Sequence, residues 1–567
     1  MTPIKTNISL LAFSVFAATQ AHAALYQVVE VTPPVSSGSF QSAFGVAIQP
    51  STDDSSSATN FNSCFLASSI GGTACSDFTL AGETRIQKTM AGQAVDGMSY
   101  REEAPFGMDN AFSYAQTEND MKNYCASELL YSTCDAWGEV HWAEWQRELS
   151  GDITVNAMAF VEGSPSIVDG INFNIVINSL TTDSKPVGIR SSTGDNRQTV
   201  EAQVPASLKP IKNGFDKSRA WKTDGTFTVG SVSDNRTNTF GNYYSSNAAI
   251  WGSDGVVVKI GWGSGVSQEK DQRLAQGSIR DFVVKSGTIY GVGYNTYDRD
   301  NNFMNATVFK VASSDYATAS NWTPTEINNA KTKSGSDRIY SNTVLTAVND
   351  NLVAIGEAKR AGSRPSGGAA ANRFFVVPDV SAASPSAQFI SDNISFSGAG
   401  GHANAINNFN EIVGQVDTES NRESSGKPRR KRAFIYPYNT AGSNATRMGI
   451  FANRAWLLDD LTNGGNFSAN NNQYRILNAS DINDAGVIAA TAIKCSGGYD
   501  STAHNATCGN GGQTETTVAV KLIPIENATS SDISPRGLES NAAKRSGGAL
   551  GSAGLTLLTL LLFRRKW

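Results

Sequence analysis

Ser267 and Lys270 stand at the Ser-x-x-Lys spacing in which a lysine amine can activate a serine hydroxyl for acyl transfer. Ser391-Asp392-Asn393 and Lys285-Ser286-Gly287 match the two further elements of that chemistry. Their order is wrong, because the Lys-[Ser/Thr]-Gly element must follow Ser-Asp-Asn, and no helical pattern surrounds Ser267. Chance matches in a Ser-rich chain account for all three. No H-E-x-x-H, G-x-S-x-G or P-loop occurs. The acid pair of glycoside cleavage is defined by separation in space, so the sequence nominates none. Asp298-Arg299-Asp300-Asn301-Asn302 offers calcium-like oxygen ligands but lacks the glycine and the glutamate of an EF-hand loop. A solvated turn is the plainer reading, and no cofactor is expected. The cationic run Lys427-Pro428-Arg429-Arg430-Lys431-Arg432 has the composition to bind acidic polysaccharide, but reads first as a solvated loop ahead of a strand at Ala433.

The cysteines do different work. Cys64 and Cys75, Cys125 and Cys134, and Cys495 and Cys508 form three pairs of close neighbours along the chain. No C-x-x-C occurs, and beyond the N-terminal leader only His141, His402 and His504 could join them around a metal. Neighbour bridges in an oxidising compartment are therefore expected: Cys64–Cys75, Cys125–Cys134 and Cys495–Cys508. Segment 119–149 lacks proline and is rich in helix formers, with Trp137, His141 and Trp145 at i, i+4 and i+8 on one helical face. It predicts a helical insertion clipped by Cys125–Cys134, with His141 packed and hydrogen-bonded rather than catalytic. The remaining sequence is short apolar runs split by Gly, Asn, Asp and Ser, the pattern of strands and turns.

Both ends carry export features. Residues 1–23 have a cation at Lys5, an apolar run over 8–19, and Ala21-His22-Ala23, an A-x-A site that predicts a mature chain starting at Ala24. At the other end Ser546-Gly547-Gly548 leads into an uncharged stretch through Phe563, followed by Arg564-Arg565-Lys566. Such a stretch is just long enough to span a bilayer, and the cations fix its end in the cytoplasm. This tail resembles the GlyGly-CTERM sorting signal of Gram-negative bacteria. The resemblance implies processing by a rhombosortase-type protease, export often through type II secretion, and a final place at the cell surface or outside. Signal peptidase and that protease are the expected partners. The chain carries a net charge of −5, and losing Lys5, Arg564, Arg565 and Lys566 leaves −9. That acidity argues against a nucleic-acid partner.

The organising elements are repeats. AWKTDGTFTVG (220–230) and IWGSDGVVVKIG (250–261) share an aromatic residue and an Asp-Gly turn before a strand. AVNDNLVAIGE (347–357), AINNFNEIVGQ (405–415) and DINDAGVIAAT (481–491) share an asparagine, a turn and a strand, at unequal intervals. RFFVVPD (373–379), RAFIYPY (432–438), RAWLLDDL (454–461) and RAWKTDG (219–225) form a second set. Together they resemble the HAF-type extracellular repeat, and the whole chain resembles an uncharacterised family of exported Gram-negative proteins with the same end signals. Units of a few antiparallel strands bury their faces by radial stacking. The expected fold is therefore mainly β, a β-propeller of five to eight short antiparallel blades with a small helical insertion, with a β-sandwich array as the rival. Expected domains are the signal peptide 1–23, an N-terminal β-rich region 24–210, a repeat region 211–521, a polar linker 522–545 and the sorting tail 546–567. Because the intervals between the asparagine copies exceed one ordinary blade, long insertions or two blades per copy are required. The expected function is binding or scaffolding at the cell envelope. The alternative is a propeller hydrolase or lyase acting on extracellular polysaccharide through carboxylates in the central channel.

Overall fold

The computed structural model describes residues 24–51, 62–86, 117–126, 134–194, 199–208, 214–238, 241–270, 273–297, 302–331, 333–334, 337–338, 343–359, 372–420 and 429–539. The fold is mainly β, 43% strand and 12% helix, in a five-blade propeller arrangement of small antiparallel sheets. Blade 1 is three strands, Phe173–Leu180, Pro186–Ser192 and Glu201–Gln203. Blade 2 is Lys217–Thr223, Phe227–Asn238, Gly241–Gly252 and Val257–Lys259. Blade 3 is Ser278–Lys285, Thr288–Thr296, Met304–Ala312 and Thr323–Glu326. Blade 4 is Val344–Val348, Ala354–Lys359, Asn372–Val377 and Gln388–Phe389. Blade 5 is Gly401–Ile406, Glu411–Asp417, Lys431–Pro437 and Trp456–Leu457.

A seven-stranded sheet closes the circle. One half is Tyr474–Ile482, Ile488–Cys495 and Glu515–Pro524, with the N-terminal strand Tyr26–Glu30 added antiparallel to the last. The other half is Ser42–Ile48, Leu80–Arg85 and Ala157–Val161. A single parallel pair, Ser42 with Thr517, joins the halves. The first strand of each blade contacts the first strand of the next, and Tyr474–Ile482 and Ser42–Ile48 complete that inner circle. The apolar core lies between blades rather than at the axis. Val229, Ile250, Ile279 and Phe309 pack between blades 2 and 3, and Val353, Phe374, Ile406 and Phe434 between blades 4 and 5. The ring thus takes in more than residues 211–521, because strands from 24–210 supply blade 1 and half of the closing sheet. Leu522–Pro524 finishes a strand, and Arg536 beyond it is buried, so the described part of 522–545 is packed chain.

One local device recurs in every blade. The register slips by one residue in the first hairpin, between Ile177 and Ser179, Ala220 and Lys222, Ile279 and Asp281, Leu345 and Ala347, and Ala403 and Ala405. Each slip is a β-bulge, which sharpens strand twist. Opposite each stands a glycine, Gly188, Gly230, Gly293, Gly356 or Gly414. A Cβ there would fall 1.9–2.3 Å from a carbonyl oxygen of the first strand.

The asparagine-turn copies mark successive sheets, one copy each: blade 4, blade 5 and the closing sheet. Each interval between copies is therefore a single unit with long connections, and no copy spans two blades. The two Asp-Gly copies sit in one blade: Asp224-Gly225 turns the first hairpin of blade 2 and Asp254-Gly255 the last. The Arg-aromatic set is also mixed. RFFVVPD and RAFIYPY are third strands, RAWLLDDL a fourth and RAWKTDG a first, so an arginine before a packed aromatic reports a strand without reporting its place.

The helical insertion is present as Glu118–Tyr124 and Cys134–Leu149, between two strands of the closing sheet. Thr117 caps the first helix, accepting from the Asp120 N–H while the Asp120 carboxylate accepts from the Thr117 N–H. The three disulfides are the neighbour pairs expected, Cys64–Cys75, Cys125–Cys134 and Cys495–Cys508, with Cα separations of 5.8, 5.5 and 5.6 Å. Among the described residues no helix is long and apolar enough to cross a membrane. Ala21, Ala23 and the whole tail, Ser546, Gly547, Gly548, Arg564, Arg565 and Lys566 included, lie outside the described residues; Ala24 is described and buried.

Candidate functional site at the propeller axis

The bulges build the axis. Their extra residues are Asn178, Trp221, Arg280, Thr346 and Asn404 in the blades, with Ser480 and Val46 at matching slips in the closing sheet. All seven keep part of their surface open to solvent while most neighbours along the strand are buried. They therefore line a solvent-accessible axis. Four of them tie one inner strand to the next through a carbonyl. Asn178 Nδ2 donates to Ala220 O at 2.8 Å, Thr346 Oγ1 to Ala403 O at 2.8 Å, Asn404 Nδ2 to Ala479 O at 2.8 Å, and Ser480 Oγ to Gly45 O at 2.7 Å.

A second circuit runs through the turns at the ends of the inner strands. Asn349 Oδ1 accepts the N–H groups of Asn351 and Val353 in its own turn, while Nδ2 donates to Asn407 O of blade 5 at 2.9 Å. Asn407 repeats this, accepting from Phe409 and Glu411 and donating to Asn483 O at 3.3 Å. Asn483 accepts from Val487 and donates to Gln49 O at 3.0 Å. The repeated asparagine therefore closes its own turn and clips it to the following unit.

Charged groups converge between these circuits. Lys222 Nζ lies 3.3 Å from Asp281 Oδ1, and Asp281, with Asp481 and Asp350 behind it, holds the ammonium above its ordinary range. Asp281 Oδ1 also accepts the Phe282 N–H at 2.8 Å, and Oδ2 accepts the Val348 N–H of blade 4 at 3.0 Å. Asp481 accepts Ile482 N–H and, across to the next strand, Ile48 N–H, both at 2.9 Å. Burial pushes the Asp481 carboxyl up to about 6, against the pull of those bonds and of Lys222. Burial likewise raises Asp484, whose two oxygens accept the backbone N–H and the side-chain amide of Asn408 at 2.8 and 2.9 Å. The same Asn408 amide donates to Asp350 at 3.0 Å. His402 Nδ1 lies 2.6 Å from Glu357 Oε2 across blades 4 and 5. Asp281, Asp481 and Asp484 each hold a neighbouring strand or turn through backbone N–H groups, so work as acid or nucleophile would loosen that joint.

Asp481 sets a pH dependence. Its folded-state pKa of about 6 is above the ordinary value of 3.8. Between these values the folded chain binds more proton than the unfolded one, so this contribution is full below pH 4 and is lost as pH rises through 6. Urea unfolding at pH 4 and pH 6.5 is expected to show wild type losing about 2–3 kcal/mol more than Asp481→Asn over that interval. Equal losses would contradict the assignment.

The sequence motifs disperse. Glu269 and Lys270 belong to a two-residue strand paired with Arg273–Leu274, so Ser267 and Lys270 share no helix. Lys285-Ser286-Gly287 is a hairpin turn in blade 3. Asp392 accepts the N–H groups of Ile394 and Ser395 in a loop, and Asn393 donates to Ala455 O. His141 is buried, stacked on Trp137 at 3.8 Å with Nδ1 2.8 Å from Trp137 O, and burial lowers it to about 4. The Trp145 side chain and residues 298–301 of the calcium-like loop lie outside the described residues, and Asn302 donates to Ser267 O. Among the described residues no group of three acids, histidines or cysteines is arranged to hold a metal. The cationic run is not a solvated loop over its described part. Arg429 is buried, donates to Gly398 O at 2.6 Å and stacks on Phe396. Arg430 pairs with Glu419, and Arg432 with the fully buried Asp459. Charge composition could not reveal those partners.

Asp459 sits in a further buried network that the sequence did not point to. Arg432, Arg475, Arg536 and His504 surround it and hold its carboxyl below the usual range despite burial. His504 Nε2 bonds Asp460 at 2.9 Å, and Arg475 and Arg536 donate to carbonyls of the segment closed by Cys495–Cys508. These bonds fasten that loop to the ring.

Residues 235–566 match a family described as "Protein of unknown function (DUF3466)". No curated protein matches the chain. Among solved structures, Penicillium chrysogenum α-L-arabinanase complexed with arabinobiose is 7% identical, covering 88% of this chain and 98% of its own, with a TM-score of 0.27. Cellvibrio cellulosa α-L-arabinanase is 11% identical over 45% of this chain and 87% of its own, TM-score 0.23. Bombyx mori GH32 β-fructofuranosidase is 7% identical over 74% and 66%, TM-score 0.25. Superpositions this loose carry no argument about activity.

Proposed function

Starting from the premise that the chain belongs to the DUF3466 family, whose function is unknown, we propose that it is an exported, envelope-associated propeller that binds or scaffolds rather than catalyses. The observation that carries this reading is the use of the axial carboxylates. Asp281 and Asp481 each join two strands through backbone N–H groups, and Asp484 joins two turns. A rigid ring held in this way presents a fixed polar axis. The mature protein should be retained by surface polysaccharide or outer-membrane extracts, and a failure to bind either would remove the reading. The alternative, a hydrolase or lyase on extracellular polysaccharide, is favoured by one feature, the raised carboxyls of Asp481 and Asp484 near the axis.

Export rests on the ends of the sequence and on three disulfides, which suit an oxidising compartment. Signal peptidase cuts after Ala23, and the strand Tyr26–Glu30 starts just downstream. We read the asparagine turns as HAF-type repeats and the tail as a GlyGly-CTERM signal cut by a rhombosortase-type protease, with type II secretion as the route outward. Glycine weakens the outer edge of the span, so that a protease can unwind it. Replacing Gly547 and Gly548 with leucine is expected to keep the protein full-length in the inner membrane, as read by C-terminal mass spectrometry and fractionation. Surface protein of wild-type sequence that still ends in Arg564-Arg565-Lys566-Trp567 would contradict the sorting reading.

A further inference from the structure

Four of the seven bulge residues around the axis follow one rule, and of the other three, Trp221, Val46 and Arg280, only Arg280 is charged. Asn178, Thr346, Asn404 and Ser480 each donate to a carbonyl of the next inner strand. Arg280 is the corresponding residue of blade 3, and it makes no hydrogen bond or ion pair with another described residue. Its guanidinium lies over the Trp221 ring of blade 2, 3.6 Å from the centroid, and 5.3 Å from that of the buried Tyr294. Its Nε is buried without a partner. The adjacent Asp281 does not compensate it, because that carboxylate accepts Phe282 N–H, Val348 N–H and Lys222. An arginine at a structural joint normally has its five donors engaged. Here an aromatic ring holds the guanidinium beside the axis while its donors bond no described residue.

We propose that Arg280, held against the Trp221 ring with Tyr294 nearby, is the ligand-recognising group of the propeller axis, and that it takes a carboxylate carried on a hydroxylated ligand, of the kind an acidic saccharide presents. A planar guanidinium binds a carboxylate through two parallel N–H···O bonds, which an ammonium cannot reproduce. The Thr346 hydroxyl and the Asn404 amide on the same circle keep acceptor capacity for sugar hydroxyls. This inference deepens the binding reading above and rests on it.

Calorimetric titration of the mature protein tests it, with trigalacturonate as probe and neutral galactotriose as control. Wild type is expected to bind trigalacturonate at least tenfold more tightly than galactotriose. Arg280→Gln and Arg280→Lys are each expected to lose tenfold or more of that affinity, with thermal midpoints close to wild type because Arg280 makes no hydrogen bond to a described residue of the fold. Three results would overturn it: no binding of trigalacturonate by wild type, no preference over galactotriose, or variants that bind as wild type does. If the variants melt early yet bind normally, Arg280 only supports Trp221, and the proposal fails as well. Retention of envelope polysaccharide by both wild type and Arg280→Gln would leave the binding reading standing and remove Arg280 alone.

Discussion

Replacing Gly414 with valine is expected to destabilise the propeller by about 3 kcal/mol or more. A Cβ at that position would lie 1.9 Å from the carbonyl oxygen of His402, a backbone atom with no rotamer to escape into. The two strands would have to part, or the bulge at Asn404 would have to flatten. Flattening would carry Asn404 away from Ala479 O and open the joint to the closing sheet. Because Gly188, Gly230, Gly293 and Gly356 face their own first strands in the same way, the loss should recur at each of them. Gly261 is the control: nothing lies within 4 Å of its Cβ position, so Gly261→Ala should fall within about 0.5 kcal/mol of wild type. Urea unfolding checks both, and a Gly414→Val protein as stable as Gly261→Ala would show that the bulges do not set blade geometry.

Glu411→Ala is expected to cost about 3–5 kcal/mol, the range for stripping one partner from a buried ion pair. Glu411 and Arg447 are fully buried, with Nε to Oε1 at 2.5 Å and a second bond to Oε2 at 2.9 Å. The Arg447 guanidinium lies against Phe65 and Phe409, and the Asn407 amide of the turn circuit donates to Glu411 Oε2 at 2.6 Å. One pair thus joins blade 5, the asparagine turn and the Cys64–Cys75 loop that carries Phe65. Removing the carboxylate leaves a guanidinium charge with no water to take it. The double variant Glu411→Met with Arg447→Met removes both charges and should be more stable than Glu411→Ala alone. Chemical denaturation of the three proteins decides, and a double variant weaker than the single one would mean that the pair contributes net stability.

What the sequence disclosed followed the range of the interaction. Each cysteine pairs with its neighbour in the chain, and those bridges could be read from spacing. Asn349, Asn407 and Asn483 were visible as a repeat because each must close its own turn, a local requirement that keeps neighbours recognisable. Their second task, donating to the next unit, has no local signature. The bulge glycines were present as Val187-Gly188, Val229-Gly230, Val292-Gly293, Ile355-Gly356 and Val413-Gly414. Unequal intervals hid that series, because blade connections vary in length. Blade 1 gives no repeat signal for that reason, and it lacks the asparagine turn. Closure by Tyr26–Glu30 on Glu515–Pro524 links the two ends of the fold and has no motif at all. Arg429 and Arg432 read as solvated from sequence because their burial depends on Asp417 and Asp459, which lie outside the cationic run on either side of it. At the axis, Lys222, Asp281 and Asp481 come from three separate sheets, and no spacing rule brings them together.

In the proposed function this axis holds a ligand and does not turn it over. Mature protein incubated with isolated surface polysaccharide, sedimented and assayed for newly formed reducing ends, tests both halves in one tube. Retention of the protein with the polysaccharide and no increase in reducing ends is the predicted result. Reducing ends that accumulate with wild type and stop with Asp481→Asn would contradict it and make the axial carboxylates catalytic.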